Sequence, residues 1–192
     1  MVYNRTDQRS SIYLHSSPDG LRWYRVPAGP VLEPGEPGTW DSEYIYVSKH
    51  LVPLGDKLAM PYHGSAYPHK YPRFPEVLSS WGKTWAWWPR GRLCALSAAS
   101  EGDVHVFGRW APTLPAGRNL TLNLRPRRAG SVRVGLRGVE GRSVADCAPI
   151  SGDHLTAPVS WRGETDIGVS DNQPITLHFE VRGADIFGLE WR

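Results

Sequence analysis

At 192 residues the chain has room for one large domain or two small ones, and 40% hydrophobic with 21% charged residues is the composition of an ordinary folded protein. A formal net charge of +3 is mild, and no run of about eighteen apolar residues offers a membrane-spanning helix, so neither a nucleic acid nor a membrane is expected as a partner. The densest basic cluster, Arg125, Arg127 and Arg128, is broken by Pro126 and reads as a solvated loop, with no interleaved aromatics of the kind that stack bases. Cys94 and Cys147 stand far apart in no metal-type spacing; free thiols are the default reading and one disulfide the alternative in an exported chain. Met1 to Ser11 is polar and lacks an apolar signal region, which argues against export of the chain as written and leaves its location open if the true start lies upstream.

The first strand candidate is Ser11–His15. Ser17-Pro18-Asp19-Gly20 then signals a hairpin, because Gly tolerates positive φ, and Trp23 is spaced to fold back over that turn. Further strand candidates are Tyr44–Ser48, Lys57–Tyr62, Thr84–Trp88 and Arg92–Ser97, joined by long Pro/Gly-rich connections over 28–38 and 64–75. Five such runs make one four-stranded propeller-type blade plus the trailing strand of another. A single blade cannot close a ring, and its edge is left open for pairing. No amphipathic helix of useful length is evident.

From about Glu101 onward strict alternation takes over. Leu120, Leu122 and Leu124 alternate with Asn119, Thr121 and Asn123; Val132, Val134 and Leu136 with Arg133 and Gly135; Ile175, Leu177, Phe179 and Val181 with Thr176, His178 and Glu180. Period-2 patterns of this kind mark half-buried antiparallel strands. Turn signals at Ala129-Gly130, Glu140-Gly141, Ser151-Gly152-Asp153 and Arg162-Gly163 punctuate them, so short strands in a β-sandwich are expected, with Trp161 in its core. The fold class expected is all-β, a partial five-bladed β-propeller over 1–97, its terminal blade and the end of the preceding one, followed by an antiparallel β-sandwich over 98–192.

The order of several pieces carries a resemblance. Ser17-Pro18-Asp19-Gly20 with Trp23, then Pro30, then Gly35-Glu36-Pro37-Gly38-Thr39-Trp40-Asp41-Ser42, then Gly55-Asp56 and the strand ending Tyr62-His63-Gly64, resembles glycoside-hydrolase-like five-bladed β-propeller proteins similar to family 32 and family 43 enzymes. Leu122-Asn123-Leu124, Asp146 to Asp153, Val159 to Gly163 and Val181 to Trp191 resemble the sandwich that follows such propellers. The likeness runs from about Ile12 to the end. Two departures stand out: the roughly four blades that precede this region in the family are absent from the sequence, and Trp81, Trp85, Trp87 and Trp88 occupy a stretch where the family usually runs into a Gly-Leu-Ala type strand.

What the resemblance implies is a protein acting on glycosidic bonds of a carbohydrate, with the missing N-terminal blades of the same protein as its natural partner and the isolated chain inactive. The alternative is a non-catalytic carbohydrate-binding or bracing module, for which a row of exposed aromatics on one sheet face is the discriminating feature. Glycoside hydrolysis uses two carboxyl groups, one to give a proton and one to attack or to activate water. Asp41 and Glu43, two apart at the opening of a predicted inner strand, share a face about 7 Å apart and are the catalytic candidates. In relatives the catalytic carboxylates come from several blades, which makes Asp41 a supporting or substrate-contacting acid, and an Asx turn is its bland alternative. Tyr62, His63 and His69, with Tyr67 and Tyr71 nearby, are the substrate-binding candidates, since imidazole and phenol groups hydrogen-bond sugar hydroxyls. His63 and His69 do not have the company a zinc site needs, and no metal or cofactor is expected. Asp146, Asp153 and Asp166 fall in loops, where Asx turns are the ordinary use and calcium the rarer one.

Overall fold

The computed structural model describes residues 1–17, 19–48, 50–70, 80–98, 119–169 and 175–192, and the backbone alone of 103–110. Every helix or strand element among these residues is a strand, so the chain is all-β, in several open antiparallel sheets. It divides into two compact units, Met1–Cys94 and Ala95–Arg192.

In the first unit β1 (Val2–Tyr3) pairs with β2 (Ser10–Ser11), and β3 (His15–Ser16) with β4 (Tyr24–Arg25). The second pair closes over the Asp-Gly signal. Gly20 takes φ +74°, and Asp19 Oδ1 accepts the N–H groups of Leu21 and Arg22, both at 2.8 Å. Those backbone donors hold the Asp19 carboxyl below its ordinary range. Trp23 does not fold back as expected. It is 63% exposed, because the hairpin it adjoins buries neither face and the turn satisfies its own polar groups.

The larger sheet of this unit is organised around β7 (Lys57–Ser65). β5 (Tyr44–Val47) and β6 (Val52–Leu54) lie end to end along one edge of β7, and β8 (Gly82–Pro89) runs along the other. Pro61 explains the break between β5 and β6. Its carbonyl accepts from Ser48, so its nitrogen, which has no hydrogen to give, faces the same column just where the ladder lapses. Gly55-Asp56 makes the two-residue turn into β7, with Gly55 at φ +60°. One face of the sheet carries Ile45, Met60, Tyr62 and Trp88 and is covered by Ile12, Val31 and Leu32. Ser10 ties the early segment down, donating to the Ile45 carbonyl at 2.6 Å and accepting from its N–H at 3.1 Å.

The fifth run expected in the first half, Arg92–Ser97, shrinks to β9 (Leu96–Ser97), which pairs with the last strand of the second unit. That unit is a five-stranded antiparallel sheet of β9, β10 (Asp103–Trp110), β11 (Leu120–Leu136), β12 (His154–Pro158) and β13 (Ile175–Trp191), with β13 central between β10 and β11. The expected short strands are here two long ones of 17 residues each. Ala129-Gly130 does not end a strand. Residues 127–130 bulge opposite Gly183, with Ala129 at φ +63°, and pairing resumes at Ser131. A Cβ on Gly130 would run into the Gly183 carbonyl, so the bulge needs glycine there.

The core of the second unit gathers Leu120, Leu122, Val132, Val134, Phe179 and Val181 around a fully buried Trp161. Trp161 Nε1–H donates to the Val134 carbonyl at 2.7 Å. Arg142 lies buried 5.8 Å from the Trp161 ring, and its guanidinium donates to the Asp166 carbonyl at 2.7 Å and to Glu164 at 2.6 Å, so the charge is paired. Asp146 and Asp166 serve turns. Asp146 accepts from Ser143 and Arg162, which lower its pKa, and Asp166 accepts from the Gly168 N–H. Cys94 and Cys147 are free thiols; burial pushes the Cys147 thiol up.

Candidate functional site

Asp41 sits in a turn, not on a strand. Thr39 N–H bonds the Glu36 carbonyl, the one hydroxyl hydrogen of Thr39 is shared between that carbonyl and Asp41 Oδ1, Ser42 N–H bonds the Thr39 carbonyl, and Gly35 N–H bonds the Asp41 carbonyl. This folds residues 35–42 into a compact knuckle whose side chain Asp41 is 9% exposed. Its Oδ1 accepts from the Thr39 hydroxyl at 2.9 Å and its Oδ2 from the Tyr62 hydroxyl at 2.8 Å. Two glycines make the close approach work. A Cβ on Gly35 would collide with the Asp41 carboxylate, and one on Gly64 would collide with the Asp41 side chain and come within 2.8 Å of the Trp40 ring. Trp40 lies across the cross-strand pair Gly64 and Gly82 and stacks on Tyr62 at 5.7 Å between ring centroids. Arg9 fastens the end of the knuckle by donating to the Ser42 carbonyl at 2.8 Å.

Asp41 and Glu43 do not share a strand face, because β5 begins at Tyr44. Glu43 lies in the bend before it, half-buried. Its N–H bonds the Ser65 carbonyl, and its carboxylate has no hydrogen-bond or ion-pair partner among the described residues. Tyr62 and His63 are neighbours on β7 and so face opposite sides of the sheet, Tyr62 toward Asp41 and His63 in register with Tyr46 and Lys83. His69 is exposed in the turn beyond β7. Its ring stacks on Tyr44 at 4.5 Å and meets the Tyr3 edge at 5.5 Å, while Trp81 meets Tyr44 at 5.8 Å. The structure thus brings Asp41 and Tyr62 together and leaves Glu43, His63 and His69 at separate places. Tyr71 lies outside the described residues. Among the described residues no group of three His, Cys, Asp or Glu is placed to hold a metal ion.

No family model, no curated protein and no solved structure matches the chain.

Two further features of the first unit lie outside the candidate site residues. The face of the β7 sheet opposite the Ile45 core exposes Tyr46 (50%), Trp85 (43%) and Trp87 (50%), the two Trp rings 5.9 Å apart and Lys57 5.9 Å from the Trp87 ring. Alternation at Trp85 and Trp87 was the available signal. Beside the Asp41 knuckle a polar cleft of about 460 Å³ opens between residues 2–13 and 33–37. No pattern in the sequence joins those two stretches.

The Tyr62 phenol is pushed up to about 12 by burial, with the bonded Asp41 carboxylate adding to the effect. In the unfolded chain it titrates near 10, so the folded state holds this proton more tightly. The resulting stabilisation is complete below pH 10 and is lost as pH rises through about 12. Urea midpoints measured across that window fall for the native chain and fall less steeply for Tyr62→Phe; parallel slopes would show that the Tyr62 phenol does not hold its proton more tightly in the folded chain.

Proposed function

We propose that the chain is the C-terminal part of a glycoside-hydrolase-like five-bladed β-propeller protein, its first unit the terminal blade with the end of the one before and its second a trailing antiparallel β-sandwich, and that its partner is a carbohydrate. The observation that carries this reading is the Asp41 knuckle. It packs Gly35, Trp40 and Asp41 from one piece of the resemblance against Tyr62 and Gly64 from another. That the two pieces meet in one hydrogen-bonded joint supports reading them together as a single motif.

Both oxygens of Asp41 are engaged in that joint, which supports a supporting role for Asp41 over proton transfer. Glu43 is then left without a second carboxyl group to complete a hydrolytic pair, which further blades of the same protein would supply. The purified 192-residue chain is therefore expected to release no chromophore from aryl glycosides while being retarded in native gels cast with a neutral polysaccharide. Measurable hydrolysis sinks the inactivity of the isolated chain; unretarded migration leaves only a bracing role.

The exposed row Tyr46, Trp85 and Trp87 favours a second reading, a non-catalytic module that stacks sugar rings on this sheet face. In the first reading the same face is covered by a neighbouring blade.

A further inference from the structure

Resting on the carbohydrate reading above, we propose that the polar cleft between residues 2–13 and 33–37 is a binding site for an uncharged sugar unit of a glycan, held by Arg9, Tyr13, Glu33 and Glu36. The cleft, about 460 Å³, is within the range of small-molecule sites, which run from roughly 300 to 1,000 Å³. Its walls are held by hydrogen bonds within the chain. Asn4 and Asp7 are committed to the loop they stand in: Asn4 donates to Asp7 at 2.9 Å, and Asp7 accepts the Arg9 N–H at 2.9 Å. On the other side, the Gly35 N–H bond to Asp41 pins residues 33–37 to the knuckle.

What these walls present inward is unspent hydrogen-bonding capacity of both kinds. Arg9 uses one nitrogen on the Ser42 carbonyl and has further N–H groups to give. Glu33 and Glu36 line the same cleft, are exposed, and their carboxylates have no hydrogen-bond or ion-pair partner among the described residues. Tyr13 lines it too, its ring braced by Arg25 at 3.6 Å. A guanidinium and two carboxylates that share one cleft without pairing leave room between them for a group that both donates and accepts. A sugar hydroxyl does both, and each bond it makes to an ionised side chain is charge-assisted. Three carboxylates, Asp7, Glu33 and Glu36, against one guanidinium disfavour an acidic sugar.

Saturation-transfer NMR on the full 192-residue chain tests this, with cellotriose, xylotriose and maltotriose as neutral probes and trigalacturonic acid as the anionic one. Transfer is expected to at least one neutral probe and not to the acid. The double variant Glu33→Gln, Glu36→Gln weakens that binding tenfold or more, while Trp85→Ala, Trp87→Ala leaves it unchanged. Both glutamate carboxylates are exposed and without a partner among the described residues, so near-UV circular dichroism of the first variant should match the parent. Neutral-probe binding that survives the glutamate substitutions and is lost with the tryptophans overturns this site and leaves the carbohydrate reading standing. Preference for the acid also overturns it. Binding of no probe by the folded chain removes the site and the carbohydrate reading together.

Discussion

Trp161→Ala lowers the stability of the second unit by about 3–5 kcal/mol, the usual range for emptying a buried aromatic site. Three losses coincide there. The ring is fully buried among strands β11 and β13, so its removal leaves a void lined by side chains that already pair across the sheet. The Val134 carbonyl loses its 2.7 Å donor in a place water does not reach, which adds about 1–3 kcal/mol. Arg142 loses the surface its guanidinium lies against, with its partners Glu164 and Asp166 unchanged. Domains of this size hold roughly 5–15 kcal/mol in total, so the variant sits near its unfolding threshold. Amide hydrogen exchange of peptides from β11 and β13 reads the effect, with protection expected to collapse there and to persist in β7 and β8. Retained protection in β11 would show that the ring is not central to this core. Trp161→Phe is expected to lose less, since most of the apolar surface stays while the Val134 carbonyl is still orphaned.

Gly64→Val disrupts the joint at Asp41 and costs the first unit about 2–4 kcal/mol, combining overpacking with a lost buried hydrogen bond. The glycine is not needed for its φ here. It is needed because the Asp41 backbone comes within 3.0 Å of where a Cβ would stand and the Trp40 ring within 2.8 Å. A valine forces Asp41 and Trp40 off the strand, which parts Asp41 from Tyr62 and loosens the 35–42 knuckle. Near-UV circular dichroism should lose its Trp40 contribution, and the urea midpoint of the first unit should drop. Gly188→Ala is the matched control, since nothing lies within 4 Å of its absent Cβ; it should be neutral or slightly stabilising. Equal effects at the two glycines would mean that the close approach at Gly64 is not what holds the knuckle.

The alternating runs in the second half and the Asp19-Gly20 hairpin could be read directly because each depends on local chemistry. A period-2 pattern commits a strand to one buried face, and a glycine with positive φ closes a turn wherever it stands. Ala129-Gly130 was misread for an instructive reason. The same residue pair that ends a strand also makes a bulge when the partner strand runs on past it, and β13 does run on, with Gly183 opposite. Trp23 likewise had the right spacing to cover its turn but no buried face to join.

The candidate site divides along the same line. Asp41 and Tyr62 were both legible as chemistry-bearing residues. Thr39 reaches one oxygen of the aspartate from two positions away, but that the tyrosine would occupy the other depends on the chain returning to the knuckle 21 positions on. Glu43 was placed on a strand that starts one residue later, which removes the shared face it was paired on. Glu33, Glu36 and Arg9 gave no signal at all, because ordinary exposed charges become a lined cleft only when two loops some 24 residues apart are set side by side.

By itself, then, the amino-acid order determined the all-β class, most strand positions and the glycine-made turns, since these follow from backbone sterics and from apolar residues sorting to one face. Only the tertiary structure decided which carboxylates are engaged and which are free, where the bulge in β11 falls, and which side of β7 each of Tyr62 and His63 serves. Those outcomes are fixed by contacts between residues far apart in the chain, and a hydrogen bond, a close approach or a cleft exists only once both of its sides are in place.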